Sequence, residues 1–225
     1  FSKKVRSLRK IRFLIIHYTG MQSERVSMNR LKNPKSKVSC HYFLKRSGTI
    51  YRMVDDNKVA WHAGKSKWRN IKNLNEYSIG SEIQNKGHFI KYQNFTKKQI
   101  TSLIQLIKIL KKKYKINNEN ILGHSDIAPL RKLDPGEKFP WYLLSSKGVS
   151  IWYPKFKLRK YNTESNSRRK MFFKNIHKIG YRFFNLSQKS NRDRKIIMAF
   201  QRRFLPNEVT GKITDKTLKI SQLLA

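Results

Sequence analysis

The chain has 225 residues, 38% of them hydrophobic and 12% aromatic, which suffices for one packed domain plus a small second one and excludes a globally disordered chain. Its 51 Lys and Arg side chains against 13 Asp and Glu give a formal net charge of +38, divided as +23 over residues 1–150 and +15 over residues 151–225. Such a charge attracts polyanions such as nucleic acid, anionic lipid or an acidic wall polymer, although compositional drift in a chain rich in Lys, Asn and Ile explains it equally well.

The first predicted elements are a strand and a short helix. The chain begins at Phe1 rather than at Met, so we expect a trimmed chain from which a leader or anchor could have been lost. Residues 12–19, RFLIIHYT, form a β-branched apolar run that predicts a buried strand with His17 at its C-terminal end. Residues 23–31 predict a helix that ends at Asn33 and Pro34.

The next elements are short strands. Residues 41–45 and 49–54 flank Arg46-Ser47-Gly48 and predict a hairpin. Residues 58–61 and 79–83 are two further strand candidates. Cys40 is the single cysteine of the chain, which excludes an intrachain disulfide and predicts a small buried residue.

A long helix starting at Thr96 is the clearest prediction. Thr96 and Gln99 have the spacing of a capping box. One apolar stripe follows at helical spacing, made of Ile100, Leu103, Ile104, Ile107 and Leu110. Ile121-Leu122-Gly123 then predicts a strand that leads directly into His124. Strands interspersed with helices over about 140 residues predict an α/β domain with a central mixed sheet.

The last third of the sequence differs in character. Residues 151–167 become polar and basic and are interpreted as a linker between a domain of residues 1–150 and one of residues 168–225. Within the latter, residues 171–179, 192–204 and 214–224 predict three helices, which would form a small helical module. No apolar run approaches the roughly 18 residues of a membrane helix.

Two of the six histidines are candidates for a metal site. His17 and His124 each come at the end of a short apolar strand, where a side chain can project into a cleft, and Asp134 follows ten residues after His124. Two imidazoles and one carboxylate, with a fourth position open to water, are typical of catalytic zinc. Spacing alone is a weak signal, because the sequence contains no local motif of the HExxH type.

Five strings of the sequence, taken in order, resemble a known family: IIHYT, CHYFLKRSGTIYRMV, VAWHAG, SIGSEIQN and GHSDIAPLRKLDPGEKFPW. They are similar to the N-acetylmuramoyl-L-alanine amidases of the AmpD/AmiD type, over about residues 11–145. The C-terminal string IMAFQRRFLPNEVTGKITDKTLKISQLL resembles a three-helix peptidoglycan-binding module, a pairing that the AmiD branch carries. The resemblance implies a central mixed β-sheet flanked by helices plus a small three-helix C-terminal domain.

The resemblance also implies the site residues. By position, the family's metal ligands fall on His17, His124 and Asp134, which would hold one Zn²⁺ per chain. The catalytic glutamate falls on Glu82 and the lysine near the metal on Lys132. The alternative for Glu82 is a surface charge on a strand, against which its apolar neighbours indicate a half-buried position where an unpaired carboxylate is costly.

The substrate that the resemblance implies is the amide between N-acetylmuramic acid, in its ordinary or 1,6-anhydro form, and L-alanine of the stem peptide. Zinc and Lys132 would polarise the amide carbonyl, and Glu82 would move the proton between water and the leaving nitrogen. Trp61 and His62 are candidates for lining the substrate groove, and Arg131 for pairing with a stem-peptide carboxylate. The alternatives are a core tryptophan, a hydrogen-bonded histidine and a solvated arginine.

The partners expected are peptidoglycan or muropeptides, met by a monomer in the periplasm or cell envelope, with cytoplasmic recycling as the alternative location. The charge leaves open a peripheral attachment to wall or membrane. A non-catalytic peptidoglycan-binding protein is one competing interpretation, which the presence of all three ligands and Glu82 disfavours. A nucleic-acid-binding protein is another, but no helix-turn-helix, RRM or zinc-finger pattern supports specific recognition.

Overall fold

The computed structural model describes residue 1, residues 5–158, residues 160–161 and residues 164–225. The strands within this part of the chain are β1 (Phe13–Tyr18), β2 (Tyr42–Leu44), β3 (Ile50–Arg52), β4 (Lys67–Trp68), β5 (Ile71–Lys72), β6 (Ser78–Ile83) and β7 (Ile121–Gly123). The helices are α1 (Glu24–Lys32), α2 (Lys97–Tyr114), α3 (His124–Ile127), α4 (Trp141–Ser146), α5 (Ser165–Ile179), α6 (Asp193–Phe204) and α7 (Asp215–Leu224).

Five strands form the central sheet, in the order β3-β2-β6-β1-β7. β1 is parallel to both β6 and β7, β2 is parallel to β6, and β3 is antiparallel to β2. The sheet is therefore mixed, as predicted. Five of the six β1 residues are buried, as expected for a central parallel strand covered on both faces.

Alternate residues of β1 pack into two different cores, because successive side chains of a strand point to opposite faces. Leu14 and Ile16 join the cluster formed with α2. Phe13 and Ile15 join a second cluster that contains Phe172, among other residues of α5, α6 and α7. Helices thus flank both faces of the sheet, and the C-terminal helices contribute directly to one of its two cores.

The long helix α2 follows the sequence prediction closely. Its capping box is formed in both directions: the Thr96 Oγ1 atom accepts a hydrogen bond from the Gln99 backbone N–H, and the Gln99 side chain accepts one from the Thr96 N–H, each at 3.0 Å. Four of the five residues of the predicted stripe are buried, and Ile104 is partly buried. The helix and its buried face are therefore confirmed.

The strand predicted at residues 58–61 is wrong. Only Lys58 takes part in a β-bridge there, an isolated one with Val5. The backbone of this segment finds other partners: Lys58 N–H donates to the Asp55 carbonyl at 2.9 Å, and Trp61 N–H donates to the Ser39 hydroxyl at 2.9 Å. With its polar groups satisfied in this way, the segment passes beside the sheet without joining it.

The predicted C-terminal helices are all present, with different starting points. α5 begins at Ser165 rather than at residue 171, so that the last residues of the predicted linker are helical. α7 begins after Thr214, whose side chain accepts a hydrogen bond from the Thr217 N–H. Residues 159, 162 and 163 of the predicted linker lie outside the described residues. The α/β fold with a mixed sheet and three C-terminal helices is confirmed, and the domain boundaries stay a prediction.

Candidate metal centre

The sheet topology brings the two candidate histidines to one edge. β1 and β7 are adjacent and parallel, with Ile16 paired to Gly123, so that His17 and His124 come next to each other beyond this pair. Asp134 lies in the loop after α3, and the Ser125 N–H donates to its carbonyl at 2.8 Å. The site therefore lies at the carboxyl ends of parallel strands, where ligands bind in open α/β sheets.

Three side-chain atoms converge at this edge. The Nδ1 atoms of His17 and His124 are 2.9 Å apart, and each is 3.1 Å from the Oδ2 atom of Asp134. The three residues are 1%, 3% and 6% exposed. Among the described residues, one group of three or more His, Cys, Asp or Glu side chains has the geometry to hold a metal ion, and it is this one.

The donor set fits zinc. A tetrahedral zinc ion with bonds of about 2.0–2.2 Å separates its ligand atoms by about 3.3 Å, slightly more than the distances observed here. Two nitrogens and one carboxylate oxygen are also the ligand types that zinc prefers. A small outward displacement of the three side chains would accommodate the ion and leave a fourth position towards the cleft.

Hydrogen bonds behind His124 orient its ring. Its Nε2 atom is 3.1 Å from the carbonyl oxygen of Ala63, which can only accept, so Nε2 carries the proton and Nδ1 presents a lone pair to the centre. The Arg131 guanidinium donates to the same carbonyl. The Ala63 carbonyl oxygen has two lone pairs and can accept from both groups. Because the two donors share this acceptor, Arg131 Nη2 lies 3.2 Å from His124 Nε2.

The protonation states also suit a cation. Burial, reinforced by His124, lowers the pKa of His17 to about 4, so its ring is neutral at pH 7. Burial alone would raise the pKa of Asp134, but the two imidazoles hold it well below its usual range. A neutral imidazole next to an ionised carboxylate is the state that binds metal, because ligands must be deprotonated.

Glu82 lies opposite His17 in the register of the parallel β1–β6 pair. Its Oε2 atom is buried and has no hydrogen-bond partner among the described residues. Burial raises the pKa of this carboxyl well above its usual range; Asp134 raises it further, and Lys132 opposes the shift. A carboxyl group whose protonated form is favoured by burial therefore lines the same cleft as the candidate ligands.

The centre opens into a cleft of about 380 Å³. Glu82, Lys132, Trp61 and Arg131, four of the residues expected at the site, lie on its walls. His62 borders it as well, but this side chain is buried, and its shortest side-chain hydrogen bond, 3.0 Å, is with His17.

Part of the cleft wall could not be predicted from the sequence. Phe89, 92% exposed, and Met21 both lie on the wall. Neither belongs to a recognisable motif or to a periodic apolar face. A larger cavity of about 800 Å³ lies among the residues at the starts of α5 and α6, and it contains none of the candidate ligands.

The chain is similar to known proteins in both sequence and structure. A family described as N-acetylmuramoyl-L-alanine amidase matches residues 7–137. The N-acetylmuramoyl-L-alanine amidase AmiD of Escherichia coli is 32% identical over 230 residues, which cover 96% of this chain and 82% of AmiD.

Solved structures also match the whole chain, among them two complexes with muropeptides. The complex of E. coli AmiD with anhydro-N-acetylmuramic acid-L-Ala-D-γ-Glu-L-Lys has a TM-score of 0.85 at 30% identity and is matched over 91% of its length. AmpDh3 from Pseudomonas aeruginosa, in complex with an anhydromuramic pentapeptide, has a TM-score of 0.83 at 26% identity and is matched over 93%. Both similarities extend through the C-terminal helices, because each covers 100% of this chain.

Proposed function

Because this chain belongs to the N-acetylmuramoyl-L-alanine amidase family, we propose that it uses one zinc ion to hydrolyse the amide between N-acetylmuramic acid and L-alanine of the stem peptide. The observation that carries the proposal is the triangle of His17, His124 and Asp134 with the carboxyl of Glu82 beside it. Three ligands, an open fourth position and an adjacent proton carrier are the parts of a hydrolytic zinc site.

His17, His124 and Asp134 would hold the ion. Zinc in such a site lowers the pKa of water towards neutrality and polarises a carbonyl oxygen. The protein would supply the ligands in a rigid arrangement. The two imidazoles are fixed at the ends of adjacent strands, and Asp134 is held by its backbone hydrogen bond to Ser125.

Glu82 would carry the proton. A bound cation would oppose the effect of burial on the pKa of Glu82 and favour its carboxylate form. That carboxylate would take a proton from the attacking water at Oε2 and pass it to the alanine nitrogen as it leaves. Lys132, half-buried on the cleft wall, places a positive charge where negative charge develops on the carbonyl oxygen. Both roles require side chains close to the substrate amide, and Glu82 and Lys132 lie on the walls of the same cleft.

Trp61 and Arg131 would bind substrate. Trp61 is half-buried on the cleft wall, and its exposed face offers an apolar surface to the sugar or peptide. Arg131 lies beside the ligand His124, with its guanidinium held against the Ala63 and Lys65 carbonyls. Stem peptides carry free carboxylates, and a guanidinium held in place in this way can pair with one of them.

Solved complexes of two relatives support the proposed substrate. The solved AmiD and AmpDh3 complexes contain anhydromuramyl peptides, which supports muropeptides, in ordinary or anhydro form, as ligands of this chain. We propose that the enzyme acts in the periplasm or cell envelope on wall turnover, that the C-terminal helices contact peptidoglycan, and that the chain is monomeric. No helix in the described part of the chain is long and apolar enough to cross a membrane.

Glu82→Gln is the variant that tests the proposal most simply. The amide keeps the size of the side chain but cannot carry the proton, so kcat for release of free stem peptide from anhydro-muropeptides should fall by about 10²–10⁴-fold. Zinc content and the melting temperature should stay those of the unmodified chain. Mass spectrometry of the products identifies the bond that is cleaved.

Glu119→Gln is the matched control, because Glu119 is a surface carboxylate paired with Arg69. It should leave turnover unchanged. Full activity of the Glu82→Gln variant, or cleavage at a different bond, would contradict the proposal. Polymeric sacculi assayed beside the soluble fragments show which form of the substrate is preferred.

A further inference from the structure

The imidazole of His62 lies directly behind the ligand His17, on the side away from the metal centre. The Nδ1 atom of His62 is 3.0 Å from the Nε2 atom of His17, and the two rings meet edge to face at an interplanar angle of 82°. His62 is 8% exposed and His17 1%. Two neutral rings in this contact must share one proton, so one nitrogen donates and the other accepts.

The direction of this hydrogen bond can be deduced from the residues behind His62. The Ser78 hydroxyl is 2.6 Å from the Leu74 carbonyl, which can only accept, so Ser78 donates its single proton there. The same hydroxyl oxygen is 3.2 Å from His62 Nε2 and must accept from it. His62 therefore carries its proton on Nε2, and its Nδ1 is free to accept from His17.

The consequence for His17 is a fixed tautomer. Its Nε2–H donates to His62, which leaves the Nδ1 lone pair directed at His124 and Asp134. The opposite tautomer would put a proton on the atom that has to bind the metal, and it would leave His62 Nδ1 without a donor.

Neighbouring residues leave space for the His62 ring and hold its backbone in place. A Cβ atom at Gly80 would lie 2.3 Å from the His62 Cγ atom, so a side chain at this position of β6 would displace the imidazole. The backbone is held as well, since the N–H groups of His62 and Ala63 both donate to the Asn75 side-chain oxygen, at 3.1 and 2.7 Å. Ser78 is fully buried.

We propose that His62 is a positioning residue: anchored by Ser78, it holds His17 in the Nε2–H tautomer and so prepares Nδ1 for the metal. The identity of the metal rests on the proposed function, but the tautomer does not. Residues that orient metal ligands in this way commonly change metal affinity by 10- to 100-fold when they are removed.

Two substitutions of similar size separate this role from simple packing. His62→Asn places a side-chain oxygen close to the position of Nδ1 and keeps an acceptor for His17, whereas His62→Leu fills the space without one. We expect the zinc dissociation constant, measured on the full chain by competition with a chromogenic chelator, to rise about 10- to 100-fold for His62→Leu. For His62→Asn it should stay within about threefold, because the acceptor is retained.

Equal loss of zinc affinity in the two variants would overturn the proposal, because packing rather than the acceptor would then be responsible. So would unchanged affinity in both. The melting temperature of each metal-free chain shows whether the protein has folded. If His62→Leu does not fold, the spectroscopic test on the unmodified chain decides.

That test is nitrogen NMR of the histidine rings at pH 7.5, on the full chain with and without zinc. We expect His17 and His62 each to be protonated on Nε2 alone, with a scalar coupling across the His17 Nε2–H···Nδ1 His62 hydrogen bond. A proton on Nδ1 of either ring in the metal-free chain would overturn the proposal. These signals do not depend on amidase activity, so an inactive chain with the expected tautomers would contradict the proposed function alone.

Discussion

Burial and hydrogen bonding assign the protons among the buried side chains of this protein. Burial lowers the pKa of His17 and His62 and raises that of Glu82, while the imidazoles keep Asp134 ionised. Each shift is in the direction needed by the proposed role of the group: a neutral ligand, a neutral positioning residue, a charged ligand or a carrier of protons. One physical effect therefore acts in opposite directions on acids and bases in a single cleft.

His41 provides a prediction about pH and stability, away from the metal ligands. Burial, followed by the nearby positive charge of Arg6, lowers its pKa to about 3, and its Nδ1 accepts a hydrogen bond from the Gly80 N–H at 3.0 Å. The unfolded chain takes up this proton below pH 6.5, whereas the folded chain resists it until about pH 3. The free energy of unfolding should therefore fall as the pH drops through this window, by about 1.4 kcal/mol per pH unit.

The His41→Asn variant tests this dependence, because it keeps an acceptor for Gly80 and removes the titrating group. It should lose stability at pH 7 but show a flatter decline than the unmodified chain between pH 6 and pH 4. Urea unfolding of the two full-length proteins at several pH values in this range measures both slopes. Parallel slopes would show that His41 does not titrate as described.

At the residue scale, the sequence predicted the individual side chains better than their contacts. His17 and His124 were weak candidates from their positions at the ends of apolar strands, and the recognisable strings that contain them and Glu82 carried the prediction. The contact between His17 and His62 was not, since 45 residues separate them and the hydrogen-bond direction depends on Ser78. Such a contact follows from the sheet register and loop path, which a single sequence does not encode locally.

Among the elements, the four-residue helix α3 depends most on contacts with the rest of the protein. It begins with the proposed ligand His124, and its Asp126 accepts hydrogen bonds from the Gly123 N–H at 2.8 Å and from the Tyr181 hydroxyl. The Arg203 guanidinium of α6 also forms an ion pair with Asp126, at 2.7 Å. α6 therefore supports the short helix that carries a proposed metal ligand.

Arg203→Met should destabilise the protein strongly. Arg203 and Asp126 are 2% and 1% exposed in their side chains, and removal of one partner leaves a buried charge without its counterion. Such losses cost about 3–5 kcal/mol. Lys195→Met on the exposed side of the same helix is the control and should change stability by less than about 0.5 kcal/mol. Similar unfolding free energies for the two variants in urea would contradict this assignment.

Elements with strong local signals were predictable, and those that depend on their surroundings were not. α2 has a capping box and a continuous apolar stripe, so its sequence alone specifies it. Residues 58–61 have strand-like composition, but the Ser39 hydroxyl and a local turn satisfy their backbone. α3 is too short for any helical period, and it forms because Asp126 closes its first turn.

On the scale of the whole molecule, the sheet and the C-terminal helices share a core. Phe13 and Ile15 of β1 belong to the same buried cluster as Phe172, Phe200 and other residues of the last three helices. The sequence correctly indicated three helices after residue 150, but their apolar faces alone could not show what they pack against. The division into a catalytic and a helical domain stays a proposal, and the shared core bears directly on it.

A chain that ends at residue 150 tests this shared core. Without the helices, one face of the sheet loses its apolar cover, so we expect the fragment to unfold at a lower temperature than the full chain and to bind a hydrophobic dye. Calorimetry of both proteins under identical conditions gives the comparison. A fragment with the melting temperature of the full chain would show that the helices are a separate unit.

A zinc titration of the metal-free full chain, with release of stem peptide from an anhydro-muropeptide as the readout, tests the proposed zinc centre most directly. If His17, His124 and Asp134 form the catalytic centre, activity should rise from near zero and reach its plateau at one equivalent of zinc. Asp134→Ala should fail to reach that plateau under the same conditions. Full activity before zinc is added would contradict a catalytic zinc centre at these three residues. So would an Asp134→Ala variant that matches the unmodified chain at one equivalent.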